Sequence, residues 1–167
     1  MAARVAVLSD SHVGQRISVY PDDFLARLKE FDLIIHAGDH TNAASYAALK
    51  SVGEIAAVRG NMDEIELSSK LPARIVLDIE GMRVGVIHGW GSSEGLAEKV
   101  RQEFGGAEGP VDIIIFGHSH RPCDEIIAGV RMLNPGAFSG NLSSDKGSWG
   151  ILTIRDGSAE WEIVAVE

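Results

Sequence analysis

At 167 residues, with 45% hydrophobic and 23% charged side chains, the chain has the size and composition of one globular domain spanning 1–167. Its net charge of -9 argues against an extended nucleic-acid surface, because phosphate backbones are bound mainly by clustered Lys and Arg. No run approaches the roughly 18 apolar residues of a membrane helix, and the single cysteine, Cys123, permits no internal disulfide, so a soluble protein of the reducing cytoplasm is expected, with no membrane partner.

The opening MAARVAVLSD reaches Asp10 after one short apolar run, too early a charge for a secretory signal. Residues 4–8 form the first predicted strand, and 21–30 follow with helical apolar spacing and acids in the first turn. A second strand is expected over 32–36, a helix over 43–50 and a third strand over 54–58. Short, continuously apolar strands alternating with helices predict a largely parallel sheet covered on both faces. From Ala73 the rhythm changes: 74–79 and 82–87, joined by Glu80 and Gly81, read as a hairpin. A helix with a serine cap is predicted over 92–104 and a buried strand over 111–116, with three more short strands around Gly129, Asn134-Pro135-Gly136 and Asp156-Gly157. The fold class is α/β with two sheets, since the last third is nearly all strand. That β-rich tail also offers an interface for a homo-oligomer.

Five predicted strands end alike: in Ser9-Asp10-Ser11-His12, Gly38-Asp39-His40, Gly60-Asn61, His88-Gly89 and Gly117-His118-Ser119-His120. Sites in open α/β sheets form beyond the carboxyl ends of the strands, so these loops are expected to converge. Seven candidate metal ligands would then meet: Asp10, His12, Asp39, Asn61, His88, His118 and His120. Singly, an Asp-x-His or a Gly-Asp is ordinary turn chemistry, and a lone histidine at a strand end is usually structural. Jointly the pattern differs, because four of the six histidines in the chain sit at strand ends beside Gly, Asp or another His. Imidazole suits Zn, Mn, Fe, Co and Ni, carboxylate and amide oxygens suit the harder of these, and seven ligands are too many for one tetrahedral ion. Two divalent ions about 3.5 to 4 Å apart, bridged by a central carboxylate, are the simpler arrangement, and such a pair clamps the attacking and leaving oxygens of a phosphoryl group. Two dications against Asp10 and Asp39 would leave a local anion site in an otherwise acidic protein.

These blocks resemble the calcineurin-like metallophosphoesterase superfamily, whose motifs run D-x-H, G-D, G-N-H-[DE], H and G-H-x-H. The length, the HGWG segment and Asn134-Pro135-Gly136 look most like the compact prokaryotic YfcE-like phosphodiesterases, which are similar to the eukaryotic retromer subunit of the same fold. The resemblance implies a two-sheet β-sandwich flanked by helices. It places Asp10, His12 and His120 on a first metal, Asn61, His88 and His118 on a second, and Asp39 as the bridge, with Mn the leading cofactor and Ni, Zn, Fe and Co alternatives. Asn61 and His88 would also contact substrate, and a metal-bound hydroxide would attack phosphorus without a covalent protein nucleophile. The departure is Met62 in Gly60-Asn61-Met62-Asp63, where many members carry a histidine that protonates the leaving oxygen. A thioether carries no such proton, and a lost general acid costs about 10² to 10⁴ in rate, most with poor leaving groups. A small phosphodiester, especially an activated aryl one, is therefore the implied substrate; the blander account is that Met62 fills an apolar gap. His40 is a candidate replacement acid, unless its side chain faces solvent, and His36 is expected to be structural or to support a ligand from behind. The rival function is a non-catalytic protein-interaction scaffold, as the likeness to the retromer subunit implies.

Overall fold

A computed structural model describes residues 1–141 and 146–167. The chain runs β1 (Ala2–Leu8), α1 (Asp22–Leu28), β2 (Leu33–His36), α2 (Ala43–Lys50), β3 (Ile55–Ala57), α3 (Ile65–Ser68), β4 (Arg74–Ile79), β5 (Met82–Ile87) and α4 (Leu96–Arg101). It continues through β6 (Ile113–Phe116), β7 (Pro122–Ile127), β8 (Val130–Pro135), β9 (Ser148–Arg155) and β10 (Ser158–Ala165). One sheet has the order β10-β9-β1-β2-β3 and the other β4-β5-β6-β8-β7, five strands each.

The two-sheet expectation holds, while the largely parallel sheet does not. In the first sheet β1, β2 and β3 are parallel, but β9 returns antiparallel to β1, pairing Ala2 with Arg155, and β10 antiparallel to β9. In the second, β5, β6 and β8 are parallel, flanked by antiparallel β4 and β7. Among the described residues the last third supplies four strands rather than three, as two hairpins turning at Ala128-Gly129 and Asp156-Gly157.

Continuously apolar strands are explained by burial on both faces. Val5, Val7 and Ile35 of the first sheet point inward against Val84, Val86, Ile113, Ile115 and Leu133 of the second, which forms the central core. The alternate residues Ala6, Leu8 and Ile34 point outward beneath Phe24 and Leu28 of α1 and Leu49 of α2. On the opposite side Ile114 and Phe116 pack under Leu96 and Val100 of α4. The layers are thus helix, sheet, sheet and helix. α2 begins as its sequence predicts, with the Asn42 side chain accepting the Ser45 N–H at 2.8 Å. α4 is shorter than the predicted 92–104 and starts after Gly95, which has φ +66° and gives no side-chain cap.

Candidate metal centre

The loops after β1, β2, β3, β5 and β6 do converge, because these strands are adjacent in their sheets and point the same way. Asp10 Oδ1 lies 3.1 Å from His120 Nε2 and 3.9 Å from both His12 Nε2 and His88 Nε2. Asp39 Oδ2 lies 3.3 Å from His88 Nε2 and 3.7 Å from His12 Nε2. Two potential ligand sets result, Asp10-His12-His120 and Asp10-Asp39-His88, each with its donor atoms within 4.8 Å of one another. Asn61 Oδ1 joins the second set at 3.1 Å from His88 Nε2, and His118 Nδ1 stands 3.3 Å from that oxygen. The seven residues named from the sequence therefore lie near one another, five of them within the two sets and Asn61 and His118 attached to His88 through a chain of hydrogen bonds. Asp10 belongs to both sets, so the cluster has a second central carboxylate besides Asp39.

Each carboxylate is pinned by one oxygen and offers the other. Asp10 Oδ2 accepts the Ser9 hydroxyl at 2.5 Å and the His118 N–H at 3.1 Å, which leaves Oδ1 facing the imidazoles. Asp39 Oδ1 accepts the Met62 N–H at 2.8 Å, which leaves Oδ2 between His12 and His88. The glycines of the motifs make this packing possible. A Cβ on Gly60 would overlap Asp39 Oδ1, and one on Gly117 would overlap Ser9 Oγ.

The imidazoles are oriented from behind. His88 Nδ1–H donates to the Ala37 carbonyl at 2.7 Å, so Nε2 is the atom turned toward the carboxylates. His118 Nε2–H donates to the Gly91 carbonyl at 2.7 Å, which leaves Nδ1 toward Asn61. Burial alone would push His88 down, but the hydrogen bond to Asp39 and the charges of Asp10 and Asp39 outweigh it, and its pKa rises to about 9. Burial likewise works to raise Asp39, yet His88 beside it and the Met62 N–H hold it below the usual carboxylate range. For His12 burial prevails over the attraction of Asp39 and Asp10, and its pKa falls.

A feature with no mark in the sequence is backbone strain. Asp10, His12, Asp39, His118 and His120 all have positive φ, between 45° and 67°, although none is glycine. Left-handed backbone costs a non-glycine residue about 1 kcal/mol or more, and such conformations concentrate where function over-determines geometry. Asn134 also escaped sequence reading beyond its place in a turn. It is fully buried, and its amide donates to the Gly117 carbonyl at 3.0 Å and to Ser119 Oγ at 3.2 Å, bracing the loop that carries His118 and His120. Asp63, whose role the motif left open, clamps its own loop by accepting the Gly60 and Thr41 N–H groups at 2.7 Å each.

Two expectations are corrected here. His40 faces neither substrate nor solvent: it is fully buried, stacked on His36 with ring centroids 3.6 Å apart, and its Nε2–H points to the Val58 carbonyl at 3.3 Å. Burial pushes it down to about 4, so the ring is neutral at pH 7 and turned into the protein. His36 is structural as expected, accepting the Gly38 N–H at Nδ1 and bonding Ser11 Oγ at 2.8 Å through Nε2. Met62 does not fill an apolar gap, because its side chain is 46% exposed.

The residues fit a divalent metal. Asp10 Oδ1 and His12 Nε2 are buried atoms with no hydrogen-bond partner among the described residues, an arrangement that is costly unless a cation satisfies it. The donor set of carboxylate, imidazole and amide oxygen is that of a first-row transition ion.

Two mixed sheets between helices, with imidazoles and carboxylates gathered at one edge, define the architecture of a metal-dependent phosphoesterase. The chain belongs to the calcineurin-like phosphoesterase superfamily, whose domain matches residues 3–157. It is 33% identical over 133 residues to a Methanocaldococcus jannaschii protein named "Probable metallophosphoesterase MJ0623", a match covering 80% of this chain and 67% of that one. Among solved structures, Thermotoga maritima protein TM1076 is 35% identical with a TM-score of 0.77, covering 98% of this chain and 99% of that one. Entamoeba histolytica Vps29 complexed with Zn is 29% identical with a TM-score of 0.69, covering 97% of this chain and 98% of that one.

Proposed function

We propose that the protein is a phosphodiesterase using two divalent ions, Mn foremost, on a small cytoplasmic phosphodiester. The observation that carries this reading is the pair of ligand sets sharing Asp10, with Asp39 Oδ2 between His12 and His88. Asp10, His12 and His120 would hold one ion, and Asn61, His88 and His118 the other, with Asp39 between them. The chemistry such ions supply when bound is neutralisation of phosphoryl charge and activation of water.

The chain's own residues set the rest. The Ala37 and Gly91 carbonyls fix which nitrogen His88 and His118 present, so the donor atoms are aimed before a ligand arrives. Neither Met62 nor the buried His40 delivers a proton to a leaving oxygen. A substrate whose leaving group departs unaided is therefore favoured, which selects activated aryl esters over alkyl ones.

Metal analysis paired with turnover of an aryl phosphodiester tests this reading. Two equivalents of metal with turnover are expected, and Asp39→Asn should lose both ions together. The likeness to Vps29 favours one second reading, a protein-interaction scaffold on the same fold. Two bound ions with no turnover of any diester would move the assignment there.

A further inference from the structure

Beside the cluster, on the side of Asn61 and His88, the surface opens into a recess of about 370 Å³. Arg59, Arg74, Ile87, Trp90 and Glu103 are among the other residues of its wall. That is within the usual size of a small-molecule site and has room for one ring system with a short linker.

Trp90 is 44% exposed at this wall. Its loop is nonetheless anchored at two points. Lys99 Nζ donates to the Trp90 carbonyl at 2.7 Å and lies 5.3 Å from the ring centroid, while the next carbonyl, that of Gly91, accepts from His118. Lys99 does not line the recess, so it supports the indole from outside. A fixed, half-exposed indole beside a phosphate-handling cluster is a stacking platform for a second aromatic ring.

The two arginines of the wall differ. Arg74 is committed, paired with Glu108 at 2.6 Å and lying over the Phe104 ring at 5.4 Å. The Arg59 side chain donates once, to the Leu71 carbonyl at 3.3 Å, and has no ion-pair partner among the described residues. Its remaining N–H groups suit the acceptor atoms of a heterocycle.

We propose that this recess is the subsite for an aromatic ester arm of nucleobase type, stacked on Trp90 with its acceptor edge toward Arg59. The proposal rests on the phosphoesterase reading and names the substrate class for the same site.

Calorimetric titration of the metal-loaded protein with adenosine 5′-monophosphate, phenyl phosphate and ribose 5-phosphate, each checked for release of inorganic phosphate, tests it by affinity rather than by rate. The nucleotide should bind about tenfold more tightly than ribose 5-phosphate, with phenyl phosphate between them. Trp90→Ala should bring the nucleotide down to the affinity of ribose 5-phosphate, and Trp90→Phe should restore most of the difference. Arg59→Met should lower the nucleotide to the level of phenyl phosphate while leaving the other two unchanged. Unaltered metal content in each variant verifies that the cluster is intact. Equal binding of nucleotide and ribose 5-phosphate by the wild type would overturn the subsite. So would equal binding of nucleotide and phenyl phosphate, or a loss on Trp90→Ala shared by all three probes. Base-dependent binding by a protein that hydrolyses nothing would retain the subsite and remove the esterase reading; turnover of aryl diesters with no base dependence would do the reverse.

Discussion

Asp39 Oδ2 lies 3.3 Å from His88 Nε2, while the same carboxylate's other oxygen takes the Met62 N–H at 2.8 Å. One residue thus links the imidazole whose pKa is raised to the loop that departs from the family motif.

The first consequence concerns pH. His88 must be neutral to bind metal, and in the metal-free protein it holds its proton up to about pH 9. Metal affinity should therefore rise about tenfold per pH unit from pH 7 toward 9 and level off above that. Stability of the metal-free fold runs the other way. A folded-state pKa of about 9 against the ordinary imidazole value of 6.5 gives a contribution fully present below pH 6.5 and lost as pH rises through 9. Its size is about 3 kcal/mol. Urea denaturation of chelator-treated wild type and His88→Gln should show their stability difference shrinking between pH 6.5 and 9.5; a constant difference would contradict the assignment.

A second prediction comes from the left-handed backbone. His120 has φ +58° and a partly exposed side chain. In the metal-free state His120→Gly should be more stable than His120→Ala by about 1 kcal/mol, the reverse of the usual order. Equal midpoints and slopes in urea would show that the site does not resist the left-handed conformation.

Met62 supplies a third. Its backbone N–H holds Asp39 and survives any substitution except proline, so Met62→His should keep the metal content while placing an imidazole at a half-exposed position. Monoesterase turnover should rise about a hundredfold, the lower end of what a general acid contributes. Intact metal content with an unmoved rate would mean that proton donation was not limiting.

Much of this site was legible because its chemistry repeats at strand ends. The bounds of α2, β4 and β5 matched their prediction, and five strand-end blocks announced a shared edge. What escaped detection depends on distant partners. The β1–β9 pairing joins Ala2 to Arg155, and nothing local to β1 encodes an antiparallel neighbour from the far end of the chain. α3 is a single turn of four residues, too short for apolar periodicity to declare it. The burial of His40 follows from its stacking on His36, a packing relation invisible in a Gly-Asp-His motif. The strained φ values of Asp10, His12, Asp39, His118 and His120 lack a sequence signature because none of these positions holds glycine, the usual marker.

The measurement that bears most directly on the account is the ratio of initial rates on an activated aryl phosphodiester and the matching monoester, using Mn-loaded wild-type protein. The phosphodiesterase reading predicts the diester to be hydrolysed faster. Equal rates, or a faster monoester, would contradict it.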